Sequence, residues 1–271
     1  MSDIHPSAVI HPSAKIDPTA VIGPGAVIGE DAVIGAGTVV GAHAVVEFAA
    51  LGKNNRLSPG CFVGTPPQDV KYAGERTRLT MGDNNVVREA VTLNRATPAT
   101  GMTRIGSNCM FMAYSHVAHD CQIGNNVILV NSVALAGHVH IGDNAILGGL
   151  CAVHQFTRIG RFCMAGGGSM IGKDLPPFCL CQGDRARVRG LNLVGLRRAG
   201  FSRDAITAVK RAYKTLFLAG LRLEEALASL KAEKPGPEVL ELLSFIETPT
   251  KRGVMRAASR VRASEDEDVS V

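Results

Sequence analysis

Bulky apolar residues return at every sixth position over two long stretches of the chain. The first stretch runs from Ile4 to Val46 and the second from Ile105 to Ile171. A period of six fits neither the 3.6-residue repeat of an α-helix nor the two-residue repeat of an ordinary strand. Three hexads make one triangular coil of short strands, and successive coils stack on one another. The pattern therefore predicts a parallel β-helix.

The regular spacing is interrupted at three places. After Val46 the register slips by one residue, to Leu51, Leu57 and Val63. The hexads then lapse over about residues 65–80 and again over about 95–102, where Pro, Gly and Thr are frequent. We interpret both lapses as loops that leave the scaffold, and loops on a rigid scaffold are common places for binding.

The period changes after about residue 175, which divides the chain into an all-β part and a smaller α part. We predict a β-helix over 1–175 and a connecting segment over 176–200, because Pro176 and Pro177 turn the chain off the helix axis. Apolar residues at helical spacing follow Ser202, a suitable N-cap, and predict a C-terminal helical domain over 201–256. The acidic end, 257–271, is predicted to be disordered.

Composition indicates the cellular compartment of the protein and the role of its cysteines. No apolar run of 18 residues and no signal segment is present, which predicts a cytoplasmic protein without a transmembrane segment. The seven cysteines are an odd number, and five of them stand four places after a bulky repeat position. We interpret these as packing thiols in the slot that elsewhere holds Val, Ala or Ser.

The repeat brings distant polar residues to one edge of the prism. One coil takes about 18 residues and coils lie about 4.8 Å apart, so residues 18 apart stack on one another. His119 then lies under Gly137, which lies under Gln155, while Asp120 lies under His138. His154 lies above Ala136 on the same edge. The spacing predicts a polar cluster made of His119, His138, His154, Asp120 and the bare backbone of Gly137.

Such a cluster is suited to acyl transfer. A neutral histidine can remove a proton from a hydroxyl group, and a backbone N–H can hold a developing oxyanion. No GxSxG motif and no cysteine placed beside a histidine is found, which favours direct transfer over a covalent enzyme intermediate. Three other interpretations remain open: solvated edge histidines, a zinc site of the carbonic anhydrase type between subunits, and a purely structural solenoid.

Four motifs carry a resemblance to a known family. They are SHVAHDC at 115–121, LAGHV at 135–139, AVHQF at 152–156 and QDVKYAGE at 68–75. Together they closely resemble the UDP-N-acetylglucosamine acyltransferases that begin lipid A synthesis in Gram-negative bacteria. The likeness extends through KDLPPF, QGD and LRRAGFSRDAI, and so covers nearly the whole chain to about residue 255.

The resemblance implies a fold, a reaction and a set of partners. It implies a homotrimer of left-handed parallel β-helices, with active sites in the clefts between subunits and with neither cofactor nor metal. The reaction is transfer of a 3-hydroxyacyl chain from acyl carrier protein to the 3-hydroxyl of the glucosamine unit of UDP-N-acetylglucosamine. Some members acylate an amine at that position, and this alternative stays open.

The same resemblance implies roles for individual residues. His119 would be the general base, Asp120 would orient it, and the Gly137 N–H would bind the oxyanion. Gly167 falls where the family measures acyl length, and a glycine there implies a chain of roughly 14 carbons. The residues implied in binding the sugar, the phosphates or the acyl group are Asp69, Lys71, His116, His138, His154, Gln155, Asn192 and Arg198.

Two departures from the family concern the phosphates. Arg185 stands where a histidine is frequent, and Ala199 stands where the second residue of a basic pair is expected. Arginines at 185, 187 and 189 are candidates to replace the contact that is missing at Ala199. Basic residues also crowd into 185–214, which suits the acidic acyl carrier protein. No aromatic residues interleave with these arginines, so we expect no nucleic-acid binding.

Overall fold

The computed structural model describes residues 3–258 of the chain. Residues 259–271, which hold most of the segment predicted to be disordered, lie outside the described residues. The first two residues of the segment predicted to be disordered are described, and both contact Val188. Ala257 pairs with Val188, and the Ala258 N–H donates to the Val188 carbonyl. Among the described residues, no helix is both long and apolar enough to cross a membrane.

Short strands form the three faces of a triangular prism. The first face contains β1 (Asp3–Ile4), β4 (Val21–Ile22), β7 (Val39–Val40), β10 (Arg56–Leu57), β13 (Val86–Val87), β16 (Met110–Phe111), β19 (Ile128–Leu129), β22 (Ile146–Leu147), β25 (Met164–Ala165), β27 (Cys179–Gln182) and β28 (Arg187–Leu191). The second contains β2 (Val9–Ile10), β5 (Val27–Ile28), β8 (Val45–Val46), β11 (Phe62–Thr65), β14 (Thr92–Asn94), β17 (His116–Val117), β20 (Ala134–Leu135), β23 (Ala152–Val153) and β26 (Met170–Ile171). The third contains β3 (Lys15–Ile16), β6 (Val33–Ile34), β9 (Ala49–Leu51), β12 (Arg78–Met81), β15 (Met102–Ile105), β18 (Gln122–Ile123), β21 (His140–Ile141) and β24 (Arg158–Ile159).

Strands within a face pair in parallel, apart from the antiparallel pair of β27 and β28. Most parallel partners are 18 residues apart, as Val27 is from Val45. The second residue of each two-residue strand points inward, so Ile28 and Val46 are completely buried in thin aliphatic layers. The slip after Val46 appears as a 17-residue step between Ile34 and Leu51. All seven cysteines are buried and none forms a disulfide, and desolvation raises the pKa of each thiol.

The two loops are narrower than the hexad pattern predicts. β12 already begins at Arg78, so the first loop is 66–77, and β15 begins at Met102, so the second is 95–101. The first loop is shorter than predicted because β12 alternates with a period of two. Its buried residues Leu79 and Met81 alternate with the more exposed Arg78 and Thr80, and this short pattern does not match a hexad. Both loops leave the prism at the corner between the second and third faces.

The segment 176–200 contains regular structure that the period of six does not predict. β27 continues the first face by pairing in parallel with β25, and β28 folds back on β27 as an antiparallel hairpin. A short helix, α1 (Leu193–Arg198), follows the hairpin. The hairpin alternates buried Cys179, Cys181 and Val188 with outward residues, and this two-residue period is masked in the sequence by its many arginines.

Three longer helices complete the fold. They are α2 (Arg203–Phe217), α3 (Leu223–Ala232) and α4 (Pro237–Glu247), and Ser202 caps α2 by accepting from the Ala205 N–H. They share an apolar core that includes Val209 and Leu242. Arg158 joins them to the prism, because it pairs with the buried Asp174 at 2.8 Å and donates to the carbonyls of Phe245 and Thr248.

Candidate active site

The predicted polar cluster lies at the corner between the second and third faces, directly above both loops. In β17, β20 and β23, paired residues are 18 apart, so the turns after these strands also stack. The turn after β17 lies under the turn after β20, which lies under the turn after β23. Asp120, His138 and Phe156 occupy the same place in these turns, each with φ between 60° and 66°. The shared left-handed turn aims the side chains of successive coils in one direction.

His119 and Asp120 form a hydrogen-bonded pair at this corner. Nδ1 of His119 lies 2.7 Å from Oδ2 of Asp120, and the Asp120 side chain is completely buried. A carboxylate only accepts, so Nδ1 carries the proton and Nε2 of the neutral ring keeps its lone pair. That nitrogen is the one that a general base would use.

The second loop supplies partners of Asp120 that the sequence did not indicate. The Thr97 hydroxyl donates to Oδ2 at 2.7 Å, the Thr97 N–H lies 3.2 Å from the same oxygen, and the Thr100 hydroxyl donates to Oδ1. Burial alone would raise the pKa of Asp120, but the hydrogen bonds from His119, Thr100 and Thr97 together hold that pKa far below its usual range. The carboxylate therefore stays charged beside His119.

Gly137 packs against the imidazole of His119 from the next coil. A Cβ at this position would lie 2.5 Å from Cε1 and 2.7 Å from Nε2 of His119, so any side chain would displace the ring. The sequence pointed to Gly137 for its unshielded N–H, and the contact gives a second reason for glycine here. Over residues 3–258, no protein acceptor takes the Gly137 N–H, which leaves that donor available to a ligand.

Replacing Gly137 by alanine is expected to lower kcat of the proposed acyl transfer by about ten- to a hundredfold, because the new methyl group pushes the base out of position. Steady-state kinetics would measure it. Gly190→Ala is the matched control, because a Cβ there meets nothing within 4 Å. An unchanged kcat in Gly137→Ala would contradict the packing argument.

His138 and His116 surround the pair. Nε2 of His138 lies 3.7 Å from Oδ2 of Asp120, and its ring meets that of His119 edge-on at 5.3 Å and stacks on Phe156 at 4.7 Å. Nδ1 of His116 lies 2.6 Å from the Thr92 hydroxyl. Burial lowers the pKa of His116 and of His138, the latter against the opposing charge of Asp120. Both rings are therefore neutral at pH 7 and can donate or accept hydrogen bonds.

The first loop carries Asp69 and Lys71 to the same corner. Asp69 receives the Lys71 N–H at 2.9 Å, and it lies near enough to His138 to oppose the fall in the pKa of that ring. Tyr72 fixes the loop, because its hydroxyl accepts from Nε and Nη2 of Arg95 at 3.2 and 3.1 Å. Asp69 and Lys71 are thus held on a tethered loop.

Arg95 ties the two loops together. It is nearly buried, pairs with Glu47 at 3.0 Å and lies 4.4 Å from the centre of the Phe48 ring. Because it also begins the loop that carries Thr97, a single side chain connects the Asp69 loop to the partners of Asp120. No pattern in the sequence singled out Arg95, since its contacts depend on the path of both loops.

The remaining predicted residues lie elsewhere on the chain. His154 and Gln155 are exposed one coil above His138, whereas Gly167 occupies the corner between the first and second faces. Asn192 caps α1 by accepting from Gly195 N–H, and Arg198 is exposed in the last turn of that helix. Within residues 3–258, no hydrogen bond or ion pair links Gly167, Asn192 or Arg198 to His119, so their roles stay predictions.

For the zinc interpretation, residues 3–258 offer one candidate cluster, formed by His119, Asp120 and His138, whose ligand atoms lie within 4.8 Å of one another. The donor set fits a metal poorly. Both carboxylate oxygens of Asp120 already accept from Thr97, Thr100 and Nδ1 of His119. Binding a cation would break this network.

A β-helix of hexapeptide repeats with a His–Asp pair beside a bare backbone N–H defines a class of protein, the hexapeptide acyltransferases. The family profile "Bacterial transferase hexapeptide (six repeats)" matches residues 7–42 and 102–137, and "Udp N-acetylglucosamine O-acyltransferase; Domain 2" matches 174–255. Both findings agree with the predicted repeat and with the resemblance of the C-terminal part.

Similar proteins give the particular family. The acyl-(acyl-carrier-protein)–UDP-N-acetylglucosamine O-acyltransferases of Anaeromyxobacter sp. (strain Fw109-5) and Alkalilimnicola ehrlichii are each 49% identical, over 76% and 72% of this chain and 80% and 76% of their own. The solved structure of LpxA from Acinetobacter baumannii is 40% identical with a TM-score of 0.89, over 94% of this chain and 100% of that one. The UDP-N-acetylglucosamine acyltransferase of Campylobacter jejuni is 41% identical with the same TM-score and coverage.

The chain belongs to the family of UDP-N-acetylglucosamine O-acyltransferases. The predicted family and the predicted left-handed parallel β-helix with a C-terminal helical part are confirmed.

Proposed function

We propose that this protein transfers a 3-hydroxyacyl chain from acyl carrier protein to the 3-hydroxyl of the glucosamine unit of UDP-N-acetylglucosamine, the first step of lipid A biosynthesis. The relatives named for this reaction support the substrates. The single observation that carries the chemistry is the His119–Asp120 pair, whose free Nε2 lies against Gly137.

The reaction follows from these groups in two steps. Nε2 of His119 takes the proton of the sugar hydroxyl while the oxygen attacks the thioester carbonyl. The Gly137 N–H stabilises the oxyanion that forms, and Asp120 stabilises the imidazolium. The intermediate then collapses, the C–S bond breaks, and His119 returns the proton to the departing thiolate. The products are an ester and a free thiol, so no group on the enzyme is consumed.

The roles of the binding residues follow from their place around His119. Asp69 and Lys71 lie on the tethered loop below it, and His116, His138, His154 and Gln155 lie on the coils beside and above it. We assign these residues to the sugar, the acyl 3-hydroxyl and the phosphates. Asn192 and Arg198 are assigned to the nucleotide of a substrate that a neighbouring subunit holds.

The exposed apolar surface and the distribution of the site support a homotrimer. Large apolar side chains are exposed on the first two faces and at the corner between them, including Tyr114 at 69% and Leu150 at 68% exposure. Exposed apolar residues that gather on one side of a protein mark a surface for association. Gly167 and His119 lie on different corners of one prism, so an acyl chain that contacts both must lie in a cleft between two copies.

The acyl carrier protein is expected to approach the helical domain. α2 presents Arg203, Lys210 and Lys214 as exposed basic residues, and an acidic partner would be attracted to them.

Transfer of a radiolabelled acyl group tests the function. We expect the wild-type protein to acylate UDP-N-acetylglucosamine, and the 3-amino analogue serves as the competing acceptor. Absence of transfer to UDP-N-acetylglucosamine, with transfer to the amine, would correct the acceptor; absence of both would overturn the proposal.

Acyl length is tested in the same assay. A Cβ at Gly167 would lie 3.3 Å from the Gly149 carbonyl oxygen and otherwise face open space, so a larger side chain would project into the cleft. We expect a 14-carbon donor to react faster than a 10-carbon donor, and Gly167→Met to reverse the preference. Faster transfer of the 10-carbon chain by the wild type would contradict the role of Gly167.

A further inference from the structure

Lys251 brings a positive charge to the catalytic corner from the far end of the chain. Its Nζ lies 4.0 Å above the centre of the Phe156 ring. Phe156 stacks on His138 at 4.7 Å, and His138 meets His119 edge-on at 5.3 Å. Lys251 therefore ends a continuous stack of side chains that begins at the general base.

The segment that carries Lys251 is fixed on both sides. Before it, the Thr248 carbonyl accepts from Arg158 at 3.2 Å. After it, Arg252 donates to the Gly172 carbonyl at 3.0 Å, and the Asp174 N–H donates to the Gly253 carbonyl at 3.0 Å. The path of the chain thus directs Lys251 towards the corner.

Lys251 is exposed, and no carboxylate of residues 3–258 forms an ion pair with it. The coil next to it is basic as well. Gly172, which Arg252 contacts, lines a groove of about 500 Å³ together with four basic residues and no acidic one: His154, Lys173, Arg185 and Arg187.

An unpaired ammonium over an aromatic ring, beside a site for a sugar nucleotide, favours a phosphate ligand. Phe156 belongs to the coil two above that of His119, a rise of about 10 Å. In a UDP-sugar whose 3-hydroxyl contacts His119, only C2 separates C3 from the anomeric carbon that carries the diphosphate. The phosphodiester of the donor lies a full pantetheine length from the thioester, so the acceptor diphosphate fits this position better.

We propose that Lys251 binds a substrate phosphate at the catalytic corner, namely the diphosphate of the UDP-sugar. It would supply the positive charge that the family places at the position of Ala199. The inference rests on the proposed function, because that function provides the phosphate. Burial is the main cause of the lowered pKa of His138, and the charge of Lys251 acts in the same direction.

Binding without turnover tests the assignment. UDP-N-acetylglucosamine and a 3-hydroxyacyl phosphopantetheine would each be titrated calorimetrically into the wild type, Lys251→Met and Lys251→Arg. We expect Lys251→Met to weaken binding of the UDP-sugar about tenfold or more, since a charge-assisted hydrogen bond is lost. Lys251→Arg keeps the charge and is expected to restore most of the affinity.

Lys234→Met is the matched control, because Lys234 is also exposed but lies between α3 and α4. If Lys251→Met weakened only the binding of the phosphopantetheine, Lys251 would bind the phosphate of the acyl donor and not that of the acceptor. Unchanged binding of both ligands in Lys251→Met would overturn the inference, as would a loss that Lys251→Arg does not restore. Failure of the proposed function is a separate result, namely a wild type that transfers no acyl group.

Discussion

Replacing His119 by alanine is expected to lower kcat of acyl transfer by at least about a hundredfold, because general-base catalysis contributes about 10²–10⁴ in rate. The substitution removes the imidazole that lies against Gly137, where the reacting carbonyl would sit. Binding of the UDP-sugar should change much less than kcat, since Asp69, Lys71 and His138 remain in place. Single-turnover kinetics with saturating substrates would separate the two effects.

Two controls make the His119 result interpretable. His11→Ala removes an exposed imidazole ring that bonds to the nearby Ser13, and it should leave kcat unchanged. Thermal unfolding and sedimentation of His119→Ala should match the wild type, because His119 contributes no layer of the aliphatic core. Activity that survives in a folded variant would assign the base to another group at the corner, of which His138 is the nearest candidate.

The sequence alone predicted the scaffold and the catalytic corner for the same reason. In a solenoid with a fixed 18-residue coil, residues 18 apart in the sequence lie at the same position of adjacent coils. The stacking of His119, Gly137 and Gln155 therefore follows from their numbers alone. The hydrophobic period also gave the 17-residue slip at Leu51. Short elements with a period of two, such as the hairpin of β27 and β28, gave no such signal.

The residues that hold the catalytic side chains in place could not be predicted from the repeat. Thr97, Thr100 and Arg95 reach the corner from loops, and no period determines the path of a loop. Lys251 reaches it from beyond α4, about a hundred residues after Phe156 in the sequence. Motifs singled out the residues that react, whereas those that hold them depend on tertiary contacts between distant segments.

Replacing Asp120 by asparagine is expected to lower kcat by about 10²–10⁴, as loss of the orienting carboxylate does in other His–Asp pairs. The asparagine amide can donate to Nδ1 of His119, which would move the imidazole proton to Nε2 and abolish the base. In the place of Oδ2, its NH2 group would also face the Thr97 hydroxyl, and this buried donor would lose its acceptor. That mismatch costs about 1–3 kcal/mol of unfolding free energy at pH 7.

The pH dependence of stability distinguishes the charge of Asp120 from its shape. Its pKa is lower in the folded protein than in the unfolded chain, so the carboxylate stabilises the fold above the unfolded value of about 3.9. This contribution is lost as the pH falls through the folded pKa. The difference in Tm between wild type and Asp120→Asn should therefore be largest near neutral pH and shrink below about pH 4. A matched Asp184→Asn change, at an exposed turn between β27 and β28, should show no such trend. A constant difference in Tm down to low pH, or full activity in Asp120→Asn, would show that the buried carboxylate does not orient the base.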